Sequence, residues 1–229
     1  MTVADARVTT DALHAAVTWI VGDATSVLDL GAGTGALTDV LVRLDLDVTA
    51  VDPIEEMVEE LEIRVPGAPR ILGTAEDLPV ADRSVDAVIV GRAWQWFQPA
   101  RAVPEIARVL RPGGALGLVW SRRDLRSAWM REVAALLGAD PDVGDGGDVV
   151  RIGAPFGPVE ERRFDSMRRL TRAAFLDLVR VRPDIRARPA ADRHERLVAL
   201  ETLLLTHPDI AGAVELAVPY VTHAYRATL

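Results

Sequence analysis

Residues 26–38 read SVLDLGAGTGALT, an apolar run of strand character that breaks into glycine at 31, 33 and 35 and resumes as a helical pattern. Glycine there permits positive φ and lets a ligand approach the backbone with no Cβ in the way. The helix that follows turns its first, unbonded N–H groups toward whatever lies against the turn, which suits a phosphate or a carboxylate. Asp29 stands two residues before the first glycine, placed to accept hydrogen bonds from an amine or from the loop itself.

Outward from this turn the chain alternates between two periodicities. Apolar runs at 26–31, 47–52, 70–73, 85–91 and 114–120 suit strands buried on both faces, and helical patterns fall at 35–44, 53–64 and 100–110. That alternation predicts βαβ units and a doubly wound parallel sheet. Pro112-Gly113-Gly114 is expected to end one helix and open the next strand. Beyond Trp120, helices are expected at 124–138, 172–180 and 190–206, a strand within 155–166, and an acidic glycine-rich loop at 139–148. The tail 213–228 reads as β-rich, with Pro219 pointing to a sheet edge or bulge. The simplest division is a single domain over 1–229: a short N-terminal segment (1–25) with a helix at 10–21, a core at 26–120, and a helical insertion at 166–212 before the last strand.

Composition narrows the chemistry. All 26 basic residues are arginine, so Schiff-base catalysis, a phosphate-binding lysine and a lysine base are excluded. Cysteine is absent, which removes disulfides, thiolate catalysis and cysteine-ligated zinc, and no metal is expected. A formal charge of -8 argues against nucleic acid as a partner. No apolar stretch reaches the roughly 18 residues of a membrane span, and the N-terminus lacks a signal-peptide pattern. A cytoplasmic protein is the expectation.

Asp52 closes the second apolar run, 21 residues after Gly31. A carboxylate at that place can hold the two ribose hydroxyls of an adenosine-containing cofactor, and an isolated acid there would instead cap the following helix. Both a dinucleotide and another adenosine cofactor fit so far, since Gly31-x-Gly33-x-x-Ala36 satisfies the dinucleotide spacing.

The block GTAEDLPVADRSVDAVIVGRAWQWFQPARAVPEIARVLRPGGALGLVW (73–120), taken with VLDLGAGTG and AVDP, resembles the class I S-adenosylmethionine-dependent methyltransferases. The likeness is closest to the small-molecule group that includes the ubiquinone/menaquinone and trans-aconitate enzymes. It implies a Rossmann-like seven-stranded sheet, mostly parallel with an antiparallel last strand. It implies S-adenosylmethionine as cofactor, S-adenosylhomocysteine as product, and a small-molecule acceptor. Position by position, Asp29, Gly31, Ala32, Gly33 and Gly35 match the loop on the methionine part. Asp52 matches the ribose acid, with Pro53 and Met57 near the adenine. Ala75, Glu76, Asp77 and Leu78 match the segment whose acidic side chain meets the adenine amino group. Gly91, Arg92 and Ala93 match the turn that faces the methyl group.

Trp94, Trp96 and Phe97 cluster where open α/β sheets bind ligands. Trp94 is expected to face the cavity, Trp96 and Phe97 to be mainly structural, and both tryptophans are candidate substrate contacts. Relatives commonly carry His-Trp-Phe where this chain has Gln95-Trp96-Phe97, and a longer N-terminal lid, often with a tyrosine. Here no tyrosine precedes Tyr220; the helix at 10–21 supplies His14 and Trp19 instead. No catalytic residue is assigned. The histidines at 14, 194, 207 and 223 read as packing or surface residues, His223 being the nearest to a candidate. Arg92, Arg122 and Arg123 are candidates to attract an anionic acceptor. A nicotinamide oxidoreductase and a vestigial, non-catalytic cofactor binder are the rival readings. Apolar residues along 196–205 suggest a homodimer.

Overall fold

The computed structural model describes residues 6–138 and 152–229. In chain order the elements are α1 (Ala6–Val21), β1 (Ser26–Leu30), α2 (Ala36–Val42), β2 (Asp47–Asp52), α3 (Glu55–Arg64), β3 (Arg70–Leu72) and β4 (Val85–Gly91). A 3-10 turn (Trp94–Trp96) leads to α4 (Pro99–Val109), β5 (Leu110–Arg123) and α5 (Ala128–Leu137). The rest comprises β6 (Glu160–Leu170), α6 (Arg172–Arg180), α7 (Pro183–Arg186), α8 (Ala190–Thr206) and β7 (Leu216–Thr228).

The strands form one seven-stranded sheet in the order β3-β2-β1-β4-β5-β7-β6. The first five are mutually parallel, and β7 runs antiparallel to both β5 and β6. This is the expected Rossmann-like sheet with its reversed last strand. Strand order turns back between β1 and β4, so a crevice opens beyond their carboxyl ends, where such sheets bind ligands.

The described chain divides into two compact units. The larger holds residues 10–120, 152–164 and 222–229; the smaller holds 6–9, 121–138 and 165–221. In the larger unit, alternation sends Leu28, Val88, Val90, Leu116 and Leu118 to one face, where α4 lays down Ala102, Val103, Ile106 and Val109. Val27, Ala87, Ile89 and Val119 go to the other face, against α1 and α2. Burial on both faces explains why these strands read as continuous apolar runs. In the smaller unit, Trp129, Met130, Phe175, Ile185, Leu200 and Leu204 build a core of their own.

Three local expectations are corrected. Strand β5 starts at Leu110, four residues before the expected Gly114, because Leu110 already pairs with Val85; Pro112-Gly113-Gly114 lies inside the strand at a register shift. Glycine is needed there, since a Cβ on Gly114 would fall 2.8 Å from the Asp86 carbonyl oxygen. The strand expected within 155–166 runs later, from Glu160 to Leu170, while the next helix spans Arg172–Arg180 as expected. Pro219 is not on a sheet edge: β7 is interior, and the missing N–H is tolerated near the strand's first residues, where the Pro219 carbonyl accepts from Asp124 N–H at 2.9 Å. The short α7 was not foreseen. The glycine-rich loop expected at 139–148 lies outside the described residues.

Candidate cofactor site

The glycine turn is stitched to the end of β2. Gly31 and Ala32 both donate their N–H to the Val51 carbonyl, at 2.8 and 3.1 Å. Gly33 donates to Asp52 Oδ2 at 2.8 Å, and Ile54 donates to Asp52 Oδ1 at 3.0 Å. The Asp52 carboxylate therefore fixes both the turn and the start of α3. Each oxygen accepts one backbone N–H and keeps lone-pair capacity for a further donor.

Gly31, Gly33 and Gly35 all hold positive φ, at 72°, 55° and 78°. Two of them also allow close approach. A Cβ on Gly31 would lie 2.5 Å from Ala93 Cβ, and one on Gly35 would lie 2.8 Å from Leu61 Cγ. The turn after β4 thus presses directly on the turn after β1. Gly91 completes the interlock, because a Cβ there would meet Leu37 Cδ2 at 2.9 Å. Gly33 differs: no atom lies within 4 Å of a Cβ built on it. The turn is packed from behind and open at Gly33, the shape of a cradle for a polar ligand.

Asp29 is wholly buried beneath the turn. Its Oδ2 accepts the Thr38 hydroxyl at 2.6 Å, while Oδ1 is sealed without a partner. Burial pushes the carboxyl up to about 7, against the Thr38 hydrogen bond that lowers it; the nearby Asp52 adds to the rise. Thr38 is a partner of Asp29 that sequence reasoning missed. Its signal is a hydroxyl on the buried stripe Leu37, Thr38, Val40, Leu41 of an apolar helix.

The segment after β3 is held by α4. Leu78 N–H donates to Glu105 Oε2 at 2.9 Å, and Arg108 donates to the Leu78 and Val80 carbonyls at 2.9 Å each. Ala75 and Leu78 are buried, and Asp77 points an exposed side chain outward. Glu76 instead turns to accept the Gln98 N–H at 2.7 Å, an anchor for the start of α4. Pro53 is exposed and Met57 half-buried beside the end of β2.

Arg92 sits at φ 60°, an uncommon place for a bulky side chain. Its N–H donates to the Val119 carbonyl at 3.2 Å, and its carbonyl accepts from Gln95 Nε2 at 2.7 Å. Gln95 is thus a clamp on the strained turn. Trp94 packs edge-on to Phe97 with ring centres 5.9 Å apart, and both lie against the core on the α4 face. Trp96, expected to pack, is 80% exposed, because the 3-10 turn swings it away from that core.

The structure therefore brings together Asp29, Gly31, Ala32, Gly33, Gly35 and Asp52 with Ala93 and Phe97. Among the described residues, no cluster of side chains could hold a metal ion, and no helix is long and apolar enough to cross a membrane.

Comparison with known proteins identifies the family. Residues 28–118 match a family described as a methyltransferase domain. An uncharacterized methyltransferase of Mycobacterium tuberculosis (strain H37Rv) is 48% identical over 215 residues, covering 93% of this chain and 88% of that protein. A malonyl-[acyl-carrier protein] O-methyltransferase of Methylococcus capsulatus is 41% identical over 113 residues, 45% of this chain and 41% of its own. Among solved structures, one from Anaeromyxobacter dehalogenans whose name proposes a type II methyltransferase superposes with a TM-score of 0.70 at 25% identity, covering 93% and 94% of the two chains. The chain belongs to the class I methyltransferases.

Proposed function

We propose that the chain transfers the methyl group of S-adenosylmethionine to a small-molecule acceptor and releases S-adenosylhomocysteine. The observation that carries this reading is the Asp52 carboxylate, which grips Gly33 N–H at 2.8 Å and so sets the open cradle beside an acid with spare acceptor capacity. The residues present fit the cofactor. The turn Gly31–Gly35, with its open side at Gly33, would hold the methionine part. Asp52 would take the ribose hydroxyls, and the exposed Asp77 carboxylate the adenine amino group, with Pro53, Met57, Ala75, Glu76 and Leu78 around the base. Gly91, Arg92 and Ala93 would pass beside the methyl group.

When bound, the cofactor supplies an electrophilic methyl carbon on a sulfonium whose leaving group is a neutral thioether. The chain's own part is alignment and exclusion of water. The Gly31–Ala93 contact locks the two turns in register, and Gln95 fixes the Arg92 backbone, so the site does not have to assemble around each substrate. A charge of -8 supports a small acceptor over a nucleic acid.

Isothermal titration with S-adenosylhomocysteine tests the cofactor half. Binding is expected, and Asp52→Ala should weaken it by about tenfold or more, as loss of a charge-assisted hydrogen-bond acceptor predicts. Absence of binding by the wild-type protein would overturn the reading. A screen of metabolite extracts with labelled methyl donor then reads the acceptor half: label in small molecules supports the proposal, and label confined to protein or nucleic acid sinks it.

A further inference from the structure

Strand β7 carries an imidazole that the cofactor site does not use. His223 is buried in the larger unit, and its Nδ1 lies 3.2 Å from Glu161 Oε1 on the neighbouring β6. Burial works to raise the Glu161 carboxyl, but hydrogen bonds from Arg163 and His223 outweigh it and hold the group below the usual carboxylate range. Arg163 Nε donates to the same Oε1 at 2.9 Å. An ionised Glu161 accepts Nδ1–H, which fixes the tautomer and leaves the lone pair on Nε2. Nε2 makes no hydrogen bond among the described residues, yet it is not one of the polar atoms sealed from solvent. The side chain keeps 11% of its surface exposed.

The sheet places this pair at the ligand-binding end. Gly91, the last residue of β4, is opposite Val119 on β5. Two backbone bonds, Asp124 N–H to Pro219 O and Leu229 N–H to Gly114 O, share one antiparallel register, which sets Trp120 across from His223. At about 4.8 Å per strand, the His223 backbone lies about 10 Å from the turn that follows β4. The face is also the right one. The Tyr225 ring stacks on His223 at 6.5 Å and 13°, and meets Trp120 edge-on at 5.7 Å. Trp120 and Tyr225 pack on the same core as Ala93, Trp94 and Phe97.

We propose that His223, oriented by Glu161, is the general base of the acceptor half of the site, and that the acceptor is an aromatic hydroxyl. This rests on the methyl-transfer reading above. A carboxylic acid is ionised at neutral pH and needs no base, whereas a phenol holds its proton until about pH 10. On this face the partly exposed Trp120 ring stands across from His223, which suits a flat ring. In the step, the acceptor O–H bond breaks and its proton passes to Nε2. The oxygen's electron pair forms the new bond to the methyl carbon, and the pair of the broken carbon–sulfur bond leaves on sulfur. The resulting imidazolium is stabilised by the Glu161 carboxylate and later returns its proton to solvent. Glu161 is the positioning residue.

The test uses the full chain with S-adenosylmethionine and two probes, 4-methylphenol and 4-nitrophenol, at a pH where only the second is ionised. Wild type should methylate both. His223→Gln should lower kcat on 4-methylphenol by about 100-fold or more and on 4-nitrophenol by less than about fivefold, because only the first needs its proton removed. Exogenous imidazole should restore part of the first rate, and S-adenosylhomocysteine affinity should not change. Nitrogen-15 spectra of the cofactor-free protein give a readout independent of turnover. They should show His223 as the Nδ1–H tautomer, and Glu161→Gln should abolish that preference even if His223→Gln does not fold. An Nε2–H tautomer in wild type, equal loss on both phenols, or turnover of neither phenol by protein that binds S-adenosylhomocysteine would each overturn the proposal. Failure to bind S-adenosylhomocysteine at all would overturn the underlying function instead.

Discussion

Asp29 holds a wholly buried carboxyl whose Oδ2 accepts the Thr38 hydroxyl. Its pKa in the folded protein, about 7, lies above the ordinary value of 3.8. The native state therefore retains a proton that the unfolded chain releases between about pH 4 and 7, so this group costs stability as pH rises through that window and no more above it. Asp29→Asn keeps an acceptor for Thr38 and cannot ionise. Its stability advantage over wild type should grow by about 2 kcal/mol between pH 5 and pH 8, read from urea unfolding at both pH values. The glycines give a paired prediction. Gly31→Ala forces a Cβ to within 2.5 Å of Ala93 and should destabilise by about 2 kcal/mol or more, read from the denaturant midpoint. Gly33→Ala meets no protein atom, so it should cost only about 1 kcal/mol in left-handed backbone while still weakening cofactor binding. Sequence could single out Asp29 and the glycines, since their spacing is local. It could not show that Asp29 turns inward to Thr38 or that Ala93 presses on Gly31, because both contacts depend on how separate elements dock.

The elements are pinned at their lower ends by another acid. Asp86, at the start of β4, accepts from Ser26 N–H at 2.9 Å and Thr25 N–H at 3.1 Å, and pairs with Arg111 on β5. The Ser26 N–H, and then the Arg111 guanidinium, hold its carboxyl down at about 2. A lowered folded pKa means stability present above about pH 4 and lost as pH falls toward 2. Asp86→Asn should cost about 1 kcal/mol at pH 7, discounted because the pair is partly solvated, and almost nothing at pH 2.5 by urea unfolding. The same pairing shows why β5 was misread at its start. Pro112-Gly113-Gly114 has the composition of a turn, and only the Leu110–Val85 pairing and the crowding at Gly114 reveal a strand that slips register and continues. The other strands and helices of the core were legible to within a few residues because each buries a continuous run or a clear stripe. The four-residue α7 carries too short a pattern, and Pro183 at its start was its one local sign.

On the scale of the whole molecule, two kinds of information separate. The parallel βαβ core follows from alternating patterns and a glycine turn, so it is readable in the sequence; the helices at 172–206 build a core from Trp129, Phe175 and Leu200 whose partners no local pattern names. The contact of His223 with Glu161 likewise joins residues 62 positions apart, which no local pattern shows. Cofactor binding should register globally. S-adenosylhomocysteine at about one hundred times its Kd should raise the unfolding free energy by about 2.7 kcal/mol, seen as a shifted denaturant midpoint. Hydrogen exchange should slow at the amides of 31–35 and 91–93. The protein also carries its own lamp for such work. Of five tryptophans, Trp129 is sealed, and Trp96 stands 80% in water beside the Gln95 clamp. The long-wavelength edge of its ultraviolet emission therefore comes from the turn after β4. A molecule settling there should shift that light toward the blue, with no dye attached.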